Sequence, residues 1–524
     1  MTQIVPLDEV PGLNPLARLL AAGDQRARPF LPDAPDRATI EGRAREALAA
    51  FRPRTVETGD SRLDAFARGE RAVVVTGQQA GLFTGPVLTL VKAAAARALA
   101  NELSLGAVFW CASEDHDLVE ATRVPLPGES GPEDAGPDPA GLTGNLHPVG
   151  ALPAGAYAAK ALEAALRFVP GKDPADPLFV ALREGAEGSF LEGFRKTFRI
   201  FLGDAAPPVH DAARARDKPD LVPLAIRLVR ERAAVRELLA GRAAELTAAG
   251  FALQVTSDPH ALPLFLLDDG VRRLLREEGG VFRLKGRDDA FSEEEIVARL
   301  ESGALTPSFS ALTRPLAASV LYPVAATILG PSEIAYWAQM LPLFGWAGLP
   351  RPVIVPRPMT AFLDPQSRRA LEKSGLRFAD VLGGRNALLT AAGAGRAAAA
   401  LARVEALKAG FLAGLEDLAP ELTAVDATLG AALATTREKV SFALDKLTEK
   451  SAQAAARADG TLEQKMLRLS VSLAPNGTLA ERVYTPLHLV LRYGPEAIRR
   501  PLVHDLRWDA AGIQIFAIGD AVTQ

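Results

Sequence analysis

One short run of ionisable side chains is the segment of this chain best suited to catalysis. Residues 113–117 read Ser-Glu-Asp-His-Asp and directly follow an apolar run. Because imidazole titrates near neutral pH, His116 can take the proton from an attacking amine, while Asp115 and Asp117 can position that amine or hold Mg²⁺. We predict these three residues as catalytic. The alternative is a solvated strand exit, in which Asp117 or Ser113 caps the next helix.

A glycine-rich loop at 77–86 is the second segment with a chemical pattern. Glycine lets backbone N–H groups approach an anion closely, and a following helix directs the positive end of its dipole toward the same place. The alternative is a tight turn that needs glycine only for its backbone conformation. We predict that the loop binds an anionic group of a substrate or nucleotide, through Gly77, Gln78, Gln79, Gly81, Thr84 and Gly85.

A third segment begins a helix at Pro331. Ser332 is a natural N-cap, and Glu333, Tyr336 and Trp337 share one helix face because they are three and four residues apart. An acid beside two aromatic rings with polar groups suits a ligand amine or the face of a sugar. We predict all four as binding residues, with ordinary core packing of the two aromatic residues as the alternative.

Other charged residues complete the predicted binding set. Arg314 and Arg357 each precede a proline, and their planar guanidinium groups are suited to carboxylate or phosphate. A plain surface arginine is the alternative for each. Glu114 is predicted to bind substrate or nucleotide with them. Lys92, about two turns into the helix after the glycine loop, adds positive charge if its stem reaches back.

The elements that must position these residues are strands of a parallel sheet. The runs 71–76 and 107–112 are apolar or β-branched and predict buried strands, with a helix at 87–102 between them. The run 352–356 predicts another strand of the same sheet. Both polar loops then leave the carboxyl ends of neighbouring strands, where open α/β sheets bind ligands.

Two further regions have distinct patterns. Residues 251–290 hold three apolar runs, 251–255, 263–267 and 281–284, and a turn sequence, which predict a small β-containing module. Residues 395–472 contain few Gly or Pro residues and repeat apolar residues at three- and four-residue spacing. They predict a long antiparallel helical hairpin that breaks near Pro420. Its apolar stripes serve either packing within the chain or a dimer interface.

Composition excludes several classes of protein. The 59 Lys and Arg residues nearly balance the 63 Asp and Glu residues of this 524-residue chain, so no long-range attraction to nucleic acid or an anionic membrane is expected. Its single cysteine, Cys111, excludes an internal disulfide and reads as core. The first residues lack a signal-peptide pattern, and prolines interrupt the apolar stretch 315–350. We therefore expect a cytoplasmic protein.

Three motifs together resemble the cysteine-adding enzymes of bacillithiol biosynthesis, the BshC family. They are Val-Val-Thr-Gly-Gln-Gln-Ala-Gly-Leu-Phe-Thr-Gly-Pro at 74–86, Phe-Trp at 109–110 followed by Glu-Asp-His-Asp at 114–117, and Gly-Pro at 330–331 followed by Glu-Ile-Ala-Tyr-Trp-Ala-Gln at 333–339. The motifs occur in the family's order, and the resemblance spans about 70–500. Generic Walker, zincin, Cys-x-x-Cys and Gly-x-Ser-x-Gly motifs are absent.

The resemblance implies an α/β fold: a Rossmann-type parallel-sheet core with inserted connecting domains and a C-terminal α-helical coiled-coil domain. The coiled coil is implied to form a homodimer. The predicted domains are 1–125 for the first part of the core, 126–312 for the inserted domains, 313–395 for the second part of the core, 396–475 for the antiparallel coiled coil, and 476–524 for a C-terminal segment that packs back on the core.

The resemblance also implies a ligase that joins the carboxyl group of cysteine to the amine of glucosaminyl-malate. Because amide formation in water requires an activated carboxyl group, we expect ATP or another nucleotide, with Mg²⁺, as cofactors. Activation as an acyl-adenylate or as an acyl-phosphate stays open. The alternative is a non-catalytic nucleotide- or sugar-binding assembly protein, whose coiled coil recruits a partner.

Overall fold

The structure is a computed structural model that describes residues 3–169, 173–255 and 258–519. The outermost residues of the predicted segments 1–125 and 476–524 therefore lie outside the described residues. The strands, in chain order, are β1 (Gln3–Pro6), β2 (Val73–Gln78), β3 (Gly106–Cys111), β4 (Pro125–Pro127), β5 (Pro132–Asp134), β6 (Val209–Asp211), β7 (Ala261–Asp268), β8 (Val271–Glu278), β9 (Val281–Leu284), β10 (Ala290–Phe291), β11 (Thr306–Phe309), β12 (Val324–Leu329), β13 (Val353–Pro356), β14 (Met359–Leu363) and β15 (Gly512–Ala517).

Helices surround these strands in every part of the chain that the structure describes. In chain order they are α1 (Pro15–Ala21), α2 (Arg37–Ala50), α3 (Ser61–Ala67), α4 (Leu88–Glu102), α5 (Leu118–Thr122), α6 (Gly155–Ala165), α7 (Pro177–Gly185), α8 (Phe190–Leu202), α9 (Lys218–Arg230), α10 (Arg232–Ala248), α11 (Glu293–Glu301), α12 (Arg314–Leu321), α13 (Pro331–Met340), α14 (Pro342–Ala347), α15 (Pro365–Ser374), α16 (Phe378–Leu382), α17 (Gly384–Ala394), α18 (Ala398–Val425), α19 (Leu429–Arg457), α20 (Gly460–Leu473), α21 (Leu487–Tyr493) and α22 (Glu496–Arg500).

The central sheet has the order β13-β12-β2-β3-β6, and its strands are parallel. The predicted strands at 71–76, 107–112 and 352–356 are confirmed as β2, β3 and β13. Strand β2 extends two residues further than predicted, because Gly77 and Gln78 continue the pairing with β3. Strand β6 was not predicted, since its sequence Val-His-Asp carries too few apolar or β-branched residues to stand out.

Both faces of this sheet are buried, which explains its continuous apolar strands. Val74 and Phe109 pack into one core cluster with α4 and α8. Val73, Val75 and Trp110 point the other way, into a second cluster with α9, α12 and α13. Successive side chains of a strand alternate between its faces, so the two cores are separated by the sheet itself. The predicted Rossmann-type parallel-sheet core is confirmed.

The predicted β-containing module is an antiparallel sheet of order β10-β9-β8-β7-β11. Asp269 and Gly270 form the two-residue turn between β7 and β8, with φ of 49° and 76°, as hairpin turns of this kind require. The run 251–255 is not a strand, contrary to the prediction. The backbone N–H groups of Gln254 and Val255 donate instead to the side chain of Gln339, which takes the place of a strand partner.

A third sheet joins the two ends of the described chain, in the order β1-β15-β14. Beyond it, α18 and α19 form the predicted long antiparallel hairpin. Its turn lies at 426–428 and not near Pro420, which sits inside α18. Asp426 ends the helix, because its side chain accepts hydrogen bonds from both the backbone N–H and the hydroxyl of Thr428.

The hairpin presents apolar side chains to solvent. They are Leu407, Phe411, Leu418, Val425, Phe442 and Leu447. Neither this hairpin nor any other helix among the described residues combines the length and the hydropathy needed to cross a membrane.

Candidate functional site

The predicted site residues follow four of the parallel strands and lie at one edge of the central sheet. Strand β2 ends in Gln78, and β3 ends just before the 113–117 segment. Strand β12 leads through Gly330 into α13, and β13 is followed by Arg357. All four are carboxyl ends of neighbouring parallel strands, so the structure brings the sequence motifs together where such sheets bind ligands.

A buried lysine organises one part of this edge. Lys92 reaches back along α4, and its Nζ lies 2.9 Å from the carbonyl oxygen of Gly77 and 3.0 Å from Oε1 of Gln78. It also forms an ion pair with Glu333 at 2.6 Å. Burial lowers the pKa of Lys92, while Glu333 opposes that effect. All three N–H bonds of the ammonium group thus have an acceptor.

The start of α13 differs from the prediction. Its N-cap is Gly330, and Ser332 lies in the first turn with an exposed side chain. Pro331 takes the first helical position because its fixed φ suits that position. Glu333 accepts the backbone N–H of Gly330 at 2.7 Å, so it caps the helix that carries it. The geometry therefore offers no support for Ser332 as a binding residue.

The remaining predicted residues of this region surround a small cavity of about 50 Å³. Its polar and aromatic lining side chains are Thr76, Trp110, Arg314, Thr327, Glu333, Tyr336 and Trp337, and Gly77 also lines it. Burial is the main cause that raises the pKa of Tyr336 to about 12, and the negative charge of Glu333 adds to it. The hydroxyl of Tyr336 therefore stays protonated at neutral pH. Trp337 also packs on Phe344 in the core, as the alternative interpretation predicted.

Trp110 adds a donor that the sequence analysis did not identify. Its ring is buried and lines the cavity, and Nε1 has no hydrogen-bond partner among the described residues. A buried indole N–H without a partner is costly, so this N–H is available to an acceptor that enters the cavity. Gly77 must be glycine here, because a Cβ at that position would lie 2.3 Å from the carbonyl oxygen of Trp110.

Arg357 combines a structural contact with two buried, unpaired N–H groups. Its Nη1 forms a buried ion pair with Glu481 at 2.6 Å and donates to the carbonyl of Pro358 at 2.8 Å. Its Nε and Nη2 are buried and lack partners within the described ranges. Nε lies close to Gly330, beside Glu333. Nε and Nη2 form the edge of a guanidinium that binds carboxylate or phosphate with two hydrogen bonds.

The 113–117 segment forms the neighbouring part of the edge. Asp115 accepts a hydrogen bond from the side chain of Gln79 at 2.6 Å and one from the backbone N–H of His116 at 2.8 Å. Burial raises the pKa of Asp115, but these donors and Arg272 outweigh it, and the net pKa is lowered. Asp117 caps α5 by accepting the N–H of Glu120, as the capping alternative predicted.

His116 is partly exposed, and its ring contacts a residue of the antiparallel sheet β10-β9-β8-β7-β11. Nη1 of Arg272 lies 3.1 Å from Nδ1 of His116. Burial and the positive charge of Arg272 lower the pKa of His116, so the imidazole is neutral at pH 7. Arg272 is on β8, 156 residues along the chain from His116, and no local pattern in the sequence could identify it.

Glu114 is committed to the interior. It is buried, forms an ion pair with Lys218 at the start of α9, and accepts a hydrogen bond from Ser308 Oγ at 2.9 Å. Both carboxylate oxygens therefore have protein partners. The geometry argues against the predicted binding role of Glu114, because neither of its carboxylate oxygens is left for a ligand. Glu114 connects the end of β3 to α9 through Lys218 and to β11 through Ser308.

The outer part of the glycine loop is a packed turn. The N–H groups of Gly81 and Gly85 donate to carbonyl oxygens of Gln79 and Leu82 within the loop. Thr84 is fully buried and, like its neighbours Phe83 and Gly85, has a positive φ. Gly81 and Gly85 thus offer no free N–H to an anion, and the turn alternative fits these residues and Thr84 better.

Gln78 and Gln79 connect the two parts of the edge. The side chain of Gln78 accepts from Lys92, which pairs with Glu333, and the side chain of the adjacent Gln79 donates to Asp115. His116 does not line the cavity beside Tyr336. The structure therefore places the cavity beside Tyr336 and the 113–117 segment next to each other. The consecutive residues Gln78 and Gln79 link the two.

The carboxylates at this edge do not fit a protein-held metal ion. Asp115 and Asp117 accept hydrogen bonds from backbone and side-chain donors. Across the described residues, no group of three or more His, Cys, Asp or Glu side chains is arranged to hold a metal. We therefore assign no metal ligands, and the predicted role of these two residues in holding Mg²⁺ lacks structural support.

Comparison with known proteins agrees with this architecture. Residues 45–358 match the family model described as the N-terminal Rossmann-like domain of bacillithiol biosynthesis BshC, and residues 360–509 match its C-terminal coiled-coil domain. Relatives named "Putative cysteine ligase BshC" include one from Salinibacter ruber, 31% identical over 85% of this chain and 82% of its own length. Another, from Thermus thermophilus, is 33% identical over 87% of this chain and 91% of its own length. The chain belongs to the BshC family of bacillithiol biosynthesis.

Proposed function

We propose that this protein is a cysteine ligase that forms an amide bond between the carboxyl group of cysteine and the amine of glucosaminyl-malate. Its family membership and the name of its relatives support a ligase over a non-catalytic assembly protein. The structural observation that carries the proposal is the unpaired Nε and Nη2 edge of Arg357, which lies beside Glu333 at the carboxyl edge of the sheet.

The arrangement of Arg357 and Glu333 suits the binding of an amino acid. A carboxylate can take two hydrogen bonds from Arg357, while an ammonium group can approach Glu333. Lys92 balances the charge of Glu333 when no substrate is bound. Trp110 and Tyr336 supply an N–H and a protonated hydroxyl to the cavity that Glu333 also lines. These residues provide donors for substrate oxygens and one acid for an amine, as a site for amide formation requires.

Amide formation also needs a leaving group on the cysteine carboxyl. We propose that a nucleotide such as ATP supplies it, by transfer to the carboxylate of either an adenylyl group, with release of pyrophosphate, or a phosphoryl group, with release of ADP. The amine then attacks the activated carbonyl carbon, AMP or phosphate leaves, and the nitrogen loses a proton. Any Mg²⁺ would accompany the nucleotide phosphates. We propose that this reaction takes place in the cytoplasm, where cells hold ATP.

We also propose that the α18–α19 hairpin forms a homodimer interface. Its exposed apolar side chains include Phe442, which is 66% exposed, and Leu407, which is 62% exposed. Apolar patches exposed to solvent are rare on monomers, since their burial is favourable. A second copy of the same hairpin is a partner with a matching surface.

A direct assay tests the ligase proposal. Purified protein is incubated with cysteine, glucosaminyl-malate and ATP, and the thiol product is measured by mass spectrometry. Reactions that lack one component serve as controls. We expect product only in the complete mixture. Binding of glucosaminyl-malate or ATP without any product in the complete mixture would favour the assembly protein instead.

A further inference from the structure

The contact between Arg272 and His116 fixes the position of a proton. A guanidinium group carries only N–H donors, so Nδ1 of His116 must accept the hydrogen bond from Arg272. In a neutral imidazole one ring nitrogen is the acceptor and the other carries the hydrogen. The proton of His116 therefore resides on Nε2.

Arg272 itself is held firmly. Its Nε donates to Ser308 Oγ at 2.9 Å, and its guanidinium lies 3.8 Å from the ring centre of Phe265. Its side chain is only 9% exposed. The backbone carbonyl of His116 is fixed separately, by a hydrogen bond from Asn145 at 3.0 Å. Because both partners are constrained, the His116 ring cannot easily turn its Nδ1 toward a substrate.

We propose that Arg272 is a positioning residue that keeps His116 in the Nε2–H form, so that His116 donates a hydrogen bond to an oxygen of the carboxyl or phosphoryl group of a substrate. This inference rests on the proposed ligase function. It differs from the expectation that His116 takes a proton from the amine. A base needs a lone pair facing the substrate, whereas the lone pair of His116 faces Arg272.

The charge environment is consistent with this role. Burial and Arg272 lower the pKa of His116, which favours the neutral ring that accepts at Nδ1 and donates from Nε2. A fixed donor at a site where negative charge develops on an oxygen stabilises the transition state without reorganisation.

The tautomer can be read directly by NMR. The full-length protein is labelled with ¹⁵N in its six histidines, and the His116 signals are identified by their loss in His116→Gln. We expect a bare Nδ1 and a protonated Nε2 at pH 7. Arg272→Met should produce a mixture of tautomers. Arg273→Met is the matched control, because Arg273 is the next residue on β8 and bonds to the carbonyl of Lys285.

A proton on Nδ1 in the wild type would overturn the inference, whatever the protein catalyses. If Arg272→Met does not fold, the wild-type spectrum still decides which tautomer His116 adopts. Arg272→Lys then tests whether lysine, which also carries only hydrogen-bond donors, keeps His116 in the same tautomer. An unchanged His116 spectrum in folded Arg272→Met would show that Arg272 does not position the ring.

Activity then tests the role of the donor. Glutamine places an amide N–H near the position of Nε2 of His116. Loss of a fixed donor typically costs about 10²–10³ in rate. We therefore expect His116→Gln to retain at least about tenfold more ligase activity than His116→Ala. If Gln is as inactive as Ala, the donor role is wrong even with the expected tautomer. If the wild type makes no product at all, the ligase proposal fails, while the NMR result stands by itself.

Discussion

Replacing Lys92 with methionine removes the ammonium group that holds the glutamines and Glu333 together. Methionine has a similar length, so the change removes charge with little loss of volume. The lysine side chain is 2% exposed and that of Glu333 is 24% exposed. Breaking a buried ion pair by removing one partner costs about 3–5 kcal/mol, because the other charge is left uncompensated.

Two features place Lys92→Met near the lower end of that range. Water reaches part of Glu333, and the backbone N–H of Gly330 still donates to it. We therefore expect a loss of about 3 kcal/mol in the free energy of unfolding of the Rossmann-like domain. For the matched domain, residues 45–358, an unfolding entropy of about 2.1 cal/mol/K per residue converts this loss into a fall of roughly 5 °C in Tm. Denaturant titration and calorimetry measure both quantities.

A double-mutant cycle separates the ion pair from other effects. Glu333→Gln keeps the acceptor for Gly330 and removes only the charge. The variant with both changes should be more stable than Lys92→Met alone, with a coupling energy of about 1–3 kcal/mol. Losses that simply add in the double variant would refute the interpretation that Lys92 and Glu333 stabilise each other.

Three further predictions concern other parts of the chain. Glu481→Gln should lower the free energy of unfolding by about 3 kcal/mol, because Arg357 loses its buried opposite charge and the single amide oxygen of glutamine cannot replace both of the carboxylate oxygens that serve Arg357 and Thr360. An unchanged denaturation midpoint would contradict this. Burial lowers the pKa of His488 from 6.5 to about 4, so its contribution to stability is complete above pH 6.5 and is lost as the pH falls toward 4. His488→Asn should remove about 3 kcal/mol of that acid sensitivity, and parallel stability–pH curves for wild type and variant would show the assignment is wrong. Phe442→Glu in the hairpin should convert a dimer into monomers in sedimentation experiments, and a dimer that persists would place the interface elsewhere.

The parts of the site that follow directly on strands could be predicted from the sequence. The apolar runs that become β2 and β3 are bounded by polar residues, so the position of the 113–117 segment at the carboxyl edge follows from the parallel sheet. The reach of Lys92 also follows from its place on α4. Both predictions needed only local patterns and the geometry of a parallel crossover.

The pairing of charges could not be predicted in the same way. Glu114 is paired by Lys218, and His116 by Arg272, and both cations come from elements far away in the sequence. Local patterns contain no information on which cation folds against which acid. The turn at Gly81–Gly85 was predicted as an anion site for a different reason: a glycine pattern does not show whether the backbone N–H groups bond within the loop, as they do here.

The most direct test of the ligase proposal follows the oxygen atoms of cysteine. Cysteine labelled with ¹⁸O in its carboxyl group is incubated with glucosaminyl-malate, ATP and the protein, and the products are analysed by mass spectrometry. The proposal predicts an amide product that keeps one labelled oxygen, with the other transferred to AMP or to phosphate. Absence of the amide product, or an amide product with no label in AMP or phosphate, would contradict it.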